Sequence, residues 1–196
     1  MNEKTKVENI IRKRIQDSIN VKQDVLISED LLEIIGVLSE VMTCCIEDGG
    51  KLILCGNGGS ASDALHFAGE IIGRFQKERV PWPALALNAD VAAITAIAND
   101  YGFDNVFARQ IEGHATNRDI FIGISTSGNS ENVYRGAKAA QKAGVKTAAL
   151  LGMDGGKIGK IVDYPMIVPS TVTARIQECH ILLIHILCEL IENNLG

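Results

Sequence analysis

Residues 51–70 read KLILCGNGGSASDALHFAGE. Lys51 to Cys55 form a short apolar run that is typical of a buried β-strand, and the segment from about Ala61 to Phe75 has the apolar spacing of an α-helix. Glycines occupy the turn between them. A strand, a tight turn and a helix in immediate succession are the building unit of an α/β fold with a parallel sheet.

The same alternation continues toward the C-terminus. Segments of helical period separate four more strand-like runs, which are Ala84–Leu87, Asp119–Ile124, Lys146–Leu151 and Tyr164–Val168. The sequence therefore predicts a doubly wound parallel sheet of five strands with helices on both faces. In such sheets ligands bind beyond the carboxyl ends of the strands, so we expect a site in the loops that follow them.

The first fifty residues differ from the rest, because no strand is predicted there. Two helices are expected instead, from about Val7 to Ser18 and from Glu29 to Glu47, with Ser28 as the N-cap of the second. The second helix has an apolar face formed by Leu32, Ile35, Leu38 and Met42. This face is expected to cover the sheet or to meet a partner subunit, and simple core packing explains it equally well.

Length and composition indicate one ordered domain over residues 1–196, with N-terminal helices in 1–50 and the α/β core in 51–196. Hydrophobic residues make up 46% of the chain, and the net charge is -5. No basic stripe is available for a phosphate backbone, so nucleic acid is not an expected partner. No apolar run approaches the roughly 18 residues of a membrane span and no signal peptide is seen, which indicates a cytoplasmic protein without a membrane partner.

Five cysteines are present, which are Cys44, Cys45, Cys55, Cys179 and Cys188. They lie inside apolar segments and have neither the CxxC nor the zinc-finger spacing. Buried, reduced thiols are therefore expected.

The glycine-rich turn after the first strand, from Cys55 to Asp63, has the features of an anion site. Glycines let backbone N–H groups approach an anion closely, and the positive end of the following helix favours negative charge. A dinucleotide site is disfavoured, because residues 77–83 form a connection where an acidic strand end should bind the ribose. An ordinary tight turn remains the alternative for this loop alone.

A second such loop, Ser125-Thr-Ser-Gly-Asn-Ser130, follows a predicted strand and leads into a helix from Glu131 to Ala143. Its four hydroxyls and its backbone offer more hydrogen-bond donors than capping requires, with Ser130 at the N-cap. The alternative is an ordinary turn with one capping serine. No P-loop lysine is present, so the expected ligand is a monophosphate.

Polar side chains of two helices complete the candidate chemistry. His66 and Glu70 share one helical face and lie about 6 Å apart along the axis. This arrangement suits two metal ligands, an acid–base pair or simply a solvated helical face. On a long C-terminal helix, Gln177 and His185 are roughly 12 Å apart, so both reach one ion only by leaning together or from different subunits. His180 and His185 diverge by about 140° and should have different roles. For either histidine taken alone among Ile and Leu, an ordinary core histidine is the favoured interpretation.

Several stretches together resemble the bacterial phosphoheptose isomerases, a family of sugar isomerase (SIS) domain proteins. They are residues 55–60 (CGNGGS), His66-Phe-Ala68 with Glu70, and residues 98–103 (ANDYGF), 123–130 (GISTSGNS), 154–156 (DGG), 174–178 (ARIQE) and 185–187 (HIL). The resemblance runs from about Gly50 to the C-terminus. Some family members carry an acidic residue where this chain has Ala174, so any role of that carboxylate is absent here.

The resemblance implies an aldose–ketose isomerase that converts sedoheptulose 7-phosphate to D-glycero-D-manno-heptose 7-phosphate for surface polysaccharide. It implies a homotetramer with active sites at subunit interfaces and one zinc ion per subunit. The implied metal ligands are His66, Glu70, Gln177 and His185. The implied substrate-binding residues are Asn57, Gly58, Gly59, Ser60, Glu70, Asn99, Asp100, Ser125, Thr126, Ser127, Ser130 and Gln177, with Arg74 as an addition.

Isomerisation through an enediol needs a base and an acid, and we assign these catalytic roles to Glu70 and His185 as a hypothesis. Glu70 cannot be fully committed to a metal and act freely as a base, so one of its two roles is partial. Three alternatives remain at this point: an adaptor of the same fold that binds a replication initiator, a sugar-phosphate sensor, and an isomerase of another sugar phosphate. The adaptors lack the complete metal set, and no DNA-binding helix pair accompanies this domain.

Overall fold

The structure is a computed structural model that describes residues 3–196. It confirms the α/β prediction with one sheet of five parallel strands in the order β2-β1-β3-β4-β5. The strands are β1 (Leu52–Gly56), β2 (Ala84–Ala86), β3 (Ile120–Ser125), β4 (Lys146–Leu151) and β5 (Tyr164–Ile167). The helices are α1 (Glu3–Leu26), α2 (Glu29–Glu47), α3 (Gly59–Ile72), α4 (Val91–Tyr101), α5 (Val106–His114), α6 (Glu131–Lys142), α7 (Gly156–Gly159) and α8 (Thr173–Leu195).

Successive residues of a strand point to opposite faces of the sheet. Both faces are apolar here, and helices cover each of them. Leu52, Leu54 and the even-numbered isoleucines of β3 pack against α2, α3 and α8. Ile53, Cys55 and Phe121 pack against α5 and α6 on the other face. The central strands β1 and β3 are buried on both sides, which explains why they appear in the sequence as continuous apolar runs.

The order of the strands reverses at β1, which places the loop after β1 beside the loop after β3. It runs from β1 outward to β2 and then crosses back to β3 on the other side of β1. Such a switch point opens a crevice at the carboxyl edge of a parallel sheet. The end of β1 is fixed there by Asn88, whose side chain accepts from the backbone N–H of Gly56 (3.1 Å) and donates to its carbonyl oxygen (2.9 Å).

The N-terminal helices differ in detail from the prediction. α1 is longer than the predicted segment at both ends, whereas α2 has the predicted bounds. Ser28 occupies the N-cap of α2, but its hydroxyl makes no capping hydrogen bond. The apolar face was wrong at Leu32, which is 42% exposed, because the helical phase places Leu31 in line with Ile35 and directs Leu32 toward solvent.

The cysteine prediction holds for four of the five residues. Cys45, Cys55, Cys179 and Cys188 are buried and free, whereas Cys44 is free but exposed, which corrects the prediction. Burial raises the pKa of the Cys188 thiol to about 12 and that of Cys45 to about 11. These two thiols are therefore protonated at neutral pH. Among the helices of residues 3–196, none has the length and apolar content that crossing a membrane requires.

The histidines of α8 lie on different faces, as their spacing predicts. His180 is fully buried against the sheet, with Nε2 2.9 Å from the carbonyl oxygen of Leu151. Burial lowers the pKa of His180 from 6.5 to about 4, although the bond to Leu151 opposes this shift. The neutral ring therefore donates its Nε2 proton to the end of β4 and belongs to the core.

His180 should make the stability of the protein depend on pH. Its folded pKa is below the unfolded value, so the unfolded chain binds more protons, and stability is lost as the pH falls from 6.5 toward 4. We expect a slope of up to about 1.4 kcal/mol per pH unit in the free energy of unfolding. Urea unfolding of the wild type and His180→Gln at fixed protein concentration measures it. An equally steep slope in both proteins would contradict a neutral, buried His180.

Candidate active site

The loops after β1 and β3 are joined by a pair of amide side chains. Asn57 Nδ2 donates to Asn132 Oδ1 at 2.8 Å, and Asn132 Nδ2 donates to Asn57 Oδ1 at 2.9 Å. Asn132 is buried at the start of α6, where its Oδ1 also accepts from the backbone N–H of Val133. The side chain of Asn57, predicted to bind substrate, therefore braces the first loop against the second.

Most hydroxyl groups of the second loop, residues 125–130, do not cap the following helix. Ser130 is the N-cap of α6 but makes no capping hydrogen bond, and its Oγ lies 3.0 Å from Oγ of Ser125. Thr126 and Ser127 are half-buried. The Oγ of Ser127 accepts from the backbone N–H of Asn129 at 3.2 Å. The hydroxyl groups of Ser125 and Ser130 therefore meet beside the amino end of α6, where an anion is favoured.

The loop Gly152–Gly156 holds the second loop in place, which gives the DGG stretch a structural role. Gly128 has a φ of +65°, and a side chain there would collide with the backbone of Gly155. The backbone N–H of Lys157 donates to Asn129 Oδ1 at 3.1 Å, and that of Ile158 donates to the carbonyl oxygen of Gly128 at 2.9 Å. The shape of the second loop is thus fixed before any ligand binds.

Breaking the amide pair should weaken ligand binding at these loops. We expect Asn132→Ala to raise the KM for a phosphorylated substrate about 10-fold, the equivalent of about 1.4 kcal/mol, because Asn57 loses its buried partner and the loops separate. The exposed Asn117, at the opposite edge of the sheet, offers the matched control Asn117→Ala. Steady-state kinetics with both variants measure the effect. An unchanged KM in a folded Asn132→Ala protein would show that the brace is dispensable.

His66, Glu70 and His185 form one cluster between α3 and α8. Nε2 of His66 lies 2.9 Å from Oε1 of Glu70, and the rings of His66 and His185 meet edge to face with centroids 5.3 Å apart. One nitrogen or oxygen atom from each residue lies within 4.8 Å of the others. His66 is exposed and the other two are half-buried, so solvent and ligands reach the cluster.

The donor set of this cluster suits a divalent metal. Two imidazoles and one carboxylate are the ligands that catalytic zinc sites commonly use, and such sites leave a position open for water or substrate. The same carboxylate can act as a base and the same imidazole as an acid. The cluster therefore has the chemistry for proton transfer beside a polarising ion.

Gln177 lies two turns before His185 on α8 and packs on the first loop. A side chain at Gly59 would collide with the amide of Gln177, so the glycine lets α8 approach the amino end of α3. Gly58 and Gly59 are exposed, whereas Ser60 is buried just behind them. The first loop and the metal-type cluster are thereby placed on the same side of the protein.

The remaining predicted residues are exposed on α4 and just after α3. Asn99 and Asp100 are exposed on α4, where Asn99 Nδ2 donates to Asp100 Oδ1 at 2.8 Å. Within residues 3–196, no hydrogen bond connects them to either loop or to the cluster. Arg74 is exposed after α3 and pairs with Glu78 at 3.5 Å. Arg74 directly precedes Phe75, whose ring stacks on His185.

Sequence reasoning missed residues that organise the site from a distance. Asn132 and Asn88 brace the first loop, and Glu192 binds the segment after α3. Asn132 stands two residues after a predicted capping serine, which was the only local signal for it. Nothing local distinguishes Asn88 or Glu192, because their partners are far away in the sequence.

Comparison with known proteins gives a consistent result. Residues 15–152 match the model of the SIS domain family. A phosphoheptose isomerase from Sulfurimonas denitrificans is 46% identical over 96% of this chain and 97% of its own length. One from Aquifex aeolicus is 48% identical over 93% of this chain and 94% of its own. The solved phosphoheptose isomerase from Neisseria gonorrhoeae matches with a TM-score of 0.90 and 43% identity, covering 95% of this chain and 99% of that one.

Proposed function

Since this chain belongs to the phosphoheptose isomerases of the SIS-domain family, we propose that it converts sedoheptulose 7-phosphate to D-glycero-D-manno-heptose 7-phosphate. The observation that carries this proposal is the assembly of His66, Glu70 and His185 into one cluster on the helices that flank the glycine loop. The adaptor alternative gains no support, because an adaptor protein of this fold would not need these three side chains in contact.

The reaction moves a carbonyl group from C2 to C1. A base removes a proton from C1, an enediol forms, and a proton is delivered to C2. Glu70 is the base in our proposal, and His185 acts as the acid that transfers the hydroxyl proton between the two oxygens. Both side chains are half-buried, so each is held by neighbours while remaining open to substrate.

The metal ligands in this proposal are His66, Glu70, Gln177 and His185, with zinc as the ion. A divalent ion bound there would polarise the oxygens on C1 and C2 and stabilise negative charge that develops on them. The mutual distances within the His66, Glu70 and His185 cluster support the assignment. Gln177 lies two turns before His185 on α8 with its amide packed against Gly59, so in this proposal it joins the set by leaning toward His185 or from another subunit.

The phosphate of the substrate is assigned to the second loop. Ser125, Thr126, Ser127 and Ser130 present hydroxyls beside the amino end of α6, which favours an anion. Asn57, Gly58, Gly59 and Ser60 form the opposite wall, between the phosphate and the cluster. Asn99 and Asp100 contact substrate in this proposal only in the assembled protein.

We further propose a cytoplasmic homotetramer whose active sites lie at subunit interfaces. α4 has no buried residue although most of it is apolar, with Val91 and Tyr101 more than half exposed. The exposed face of α1 carries Ile10, Ile11 and Ile15. Apolar surfaces of this kind commonly mark contacts between subunits, and they support assembly around the site.

The experiment that tests the function supplies sedoheptulose 7-phosphate to the purified, zinc-loaded protein and follows aldose formation by proton NMR. The ketoses fructose 6-phosphate and ribulose 5-phosphate in parallel define the substrate. We expect the heptose aldose alone to accumulate. Conversion of another sugar phosphate in preference would change the substrate, and no conversion of any of them by the intact assembly would contradict the proposed enzyme.

A further inference from the structure

A buried carboxylate near the end of α8 holds the segment that follows α3. Glu192 is 2% exposed, and its oxygens accept from the backbone N–H groups of Phe75 (2.9 Å), Gln76 (2.8 Å) and Lys77 (2.9 Å). Nε of Arg79 donates to the same carboxylate at 3.0 Å. Burial alone would raise the pKa of Glu192, but these hydrogen bonds outweigh it and lower the pKa to about 2. The group is a fully paired anion at neutral pH.

Arg79 extends this contact to the helix that carries Glu70. Its Nη2 donates to the carbonyl oxygen of Glu70 and its Nη1 to that of Ile71, each at 2.9 Å. The guanidinium carbon also lies over Trp82, 3.6 Å from the ring centre. The last carbonyl groups of a helix have no partner within the helix. Arg79 therefore caps the turn of α3 on which Glu70 stands.

Phe75 extends the contact to the other side of the cluster. Its ring stacks on the ring of His185, with centroids 5.5 Å apart and planes inclined by 28°. Its backbone N–H is one of the three that bind Glu192. Because His185 and Glu192 are separated by two helical turns, they lie on the same face of α8. One carboxylate is thus connected to the orientation of both Glu70 and His185.

We propose that Glu192 is a positioning residue for the cluster, which sets the separation of Glu70 and His185 through Arg79 and Phe75. This inference rests on the proposed function of the same site. The contacts of Arg79 end on the carbonyl oxygen of Glu70 and those of Phe75 end on the ring of His185, so a change at the Glu192 carboxylate is passed to both residues. The Glu192 carboxylate thereby determines how well the side chains of Glu70 and His185 are spaced to bind the same ion.

Glu192→Gln tests the inference with little change of shape. One half of the glutamine side chain is an NH2 group, which would face backbone N–H groups and Arg79 instead of accepting from them. We expect zinc affinity to fall about 10- to 100-fold, as for other residues that orient metal ligands. The kcat should fall with it while KM changes little, because the phosphate loops do not contact Glu192.

The control is Glu189→Gln, an exposed glutamate on the same helix, which should leave zinc affinity and kcat unchanged. Zinc affinity is measured by competition with a chromophoric chelator, so it is determined even if the protein fails to isomerise the heptulose phosphate. If Glu192→Gln does not fold, Phe75→Leu keeps the carboxylate and removes only the ring stacked on His185. Wild-type zinc affinity and kcat in the folded Glu192→Gln protein, or in Phe75→Leu when it alone folds, would overturn the inference.

Discussion

Replacing Glu70 with glutamine is expected to lower the kcat for sedoheptulose 7-phosphate by about 100- to 10,000-fold, the usual contribution of a general base. The amide keeps the shape of the side chain but cannot accept a proton from C1. The phosphate loops are untouched, so KM should change much less than kcat. Proton NMR of aldose formation at several substrate concentrations separates the two constants.

The zinc content of the same variant separates the two roles of Glu70. If the variant keeps zinc and loses turnover, Glu70 acts mainly as the base, and if zinc is lost as well, its ligand role dominates. Glu40→Gln on the exposed side of α2 is the matched control and should behave as the wild type. Wild-type kcat in a folded Glu70→Gln protein would remove Glu70 from the chemistry.

Removing the metal is expected to have an effect of similar size. Two histidines and a carboxylate whose donor atoms lie within 4.8 Å of one another have the ligand types of a catalytic zinc site. Prolonged dialysis against a chelator should therefore abolish aldose formation, and added zinc should restore it. In His185→Ala the loss should persist after zinc is added, because the variant lacks both a proposed ligand and the proposed acid.

The result that would contradict this prediction is isomerisation at the wild-type rate in protein whose zinc has been shown to be absent. The control for the chelator is the far-ultraviolet circular dichroism spectrum, which should be the same before and after dialysis. A lost spectrum would mean that the metal holds the fold, and refolding with zinc would then be needed to recover both structure and activity.

Most of the fold could be predicted from the sequence, because its signals are local. Each strand of a parallel sheet is an apolar run, and the predicted strand Lys146–Leu151 has the observed bounds. The inward face of α2 was wrong only at Leu32, since Leu31 and Leu32, at four and three residues before Ile35, both satisfy the apolar spacing of a helix. The ends of helices and the faces that they bury were predicted less well than the helices and strands themselves.

For the site as well, contacts between residues close in the sequence could be predicted, and contacts between distant segments could not. His66 and Glu70 are four residues apart on one helix, so their contact could be expected from spacing alone. Their meeting with His185 depends on how α3 packs against α8, and only the family resemblance indicated it. The pairs Asn57–Asn132 and Phe75–Glu192 join segments 75 and 117 residues apart, which no local pattern reveals. The residues that orient the site were therefore found only in the structure.

The central claim, an enediol isomerisation at Glu70, is tested most directly by running the wild-type reaction in deuterated water. A proton that passes through the carboxylate of Glu70 exchanges with solvent, so the aldose should carry deuterium at C2, and Glu70→Gln should form neither product nor label. An aldose that retains only the hydrogen from C1 of the ketose would indicate direct hydride transfer and contradict the mechanism. No aldose from the zinc-loaded assembly would contradict the function itself.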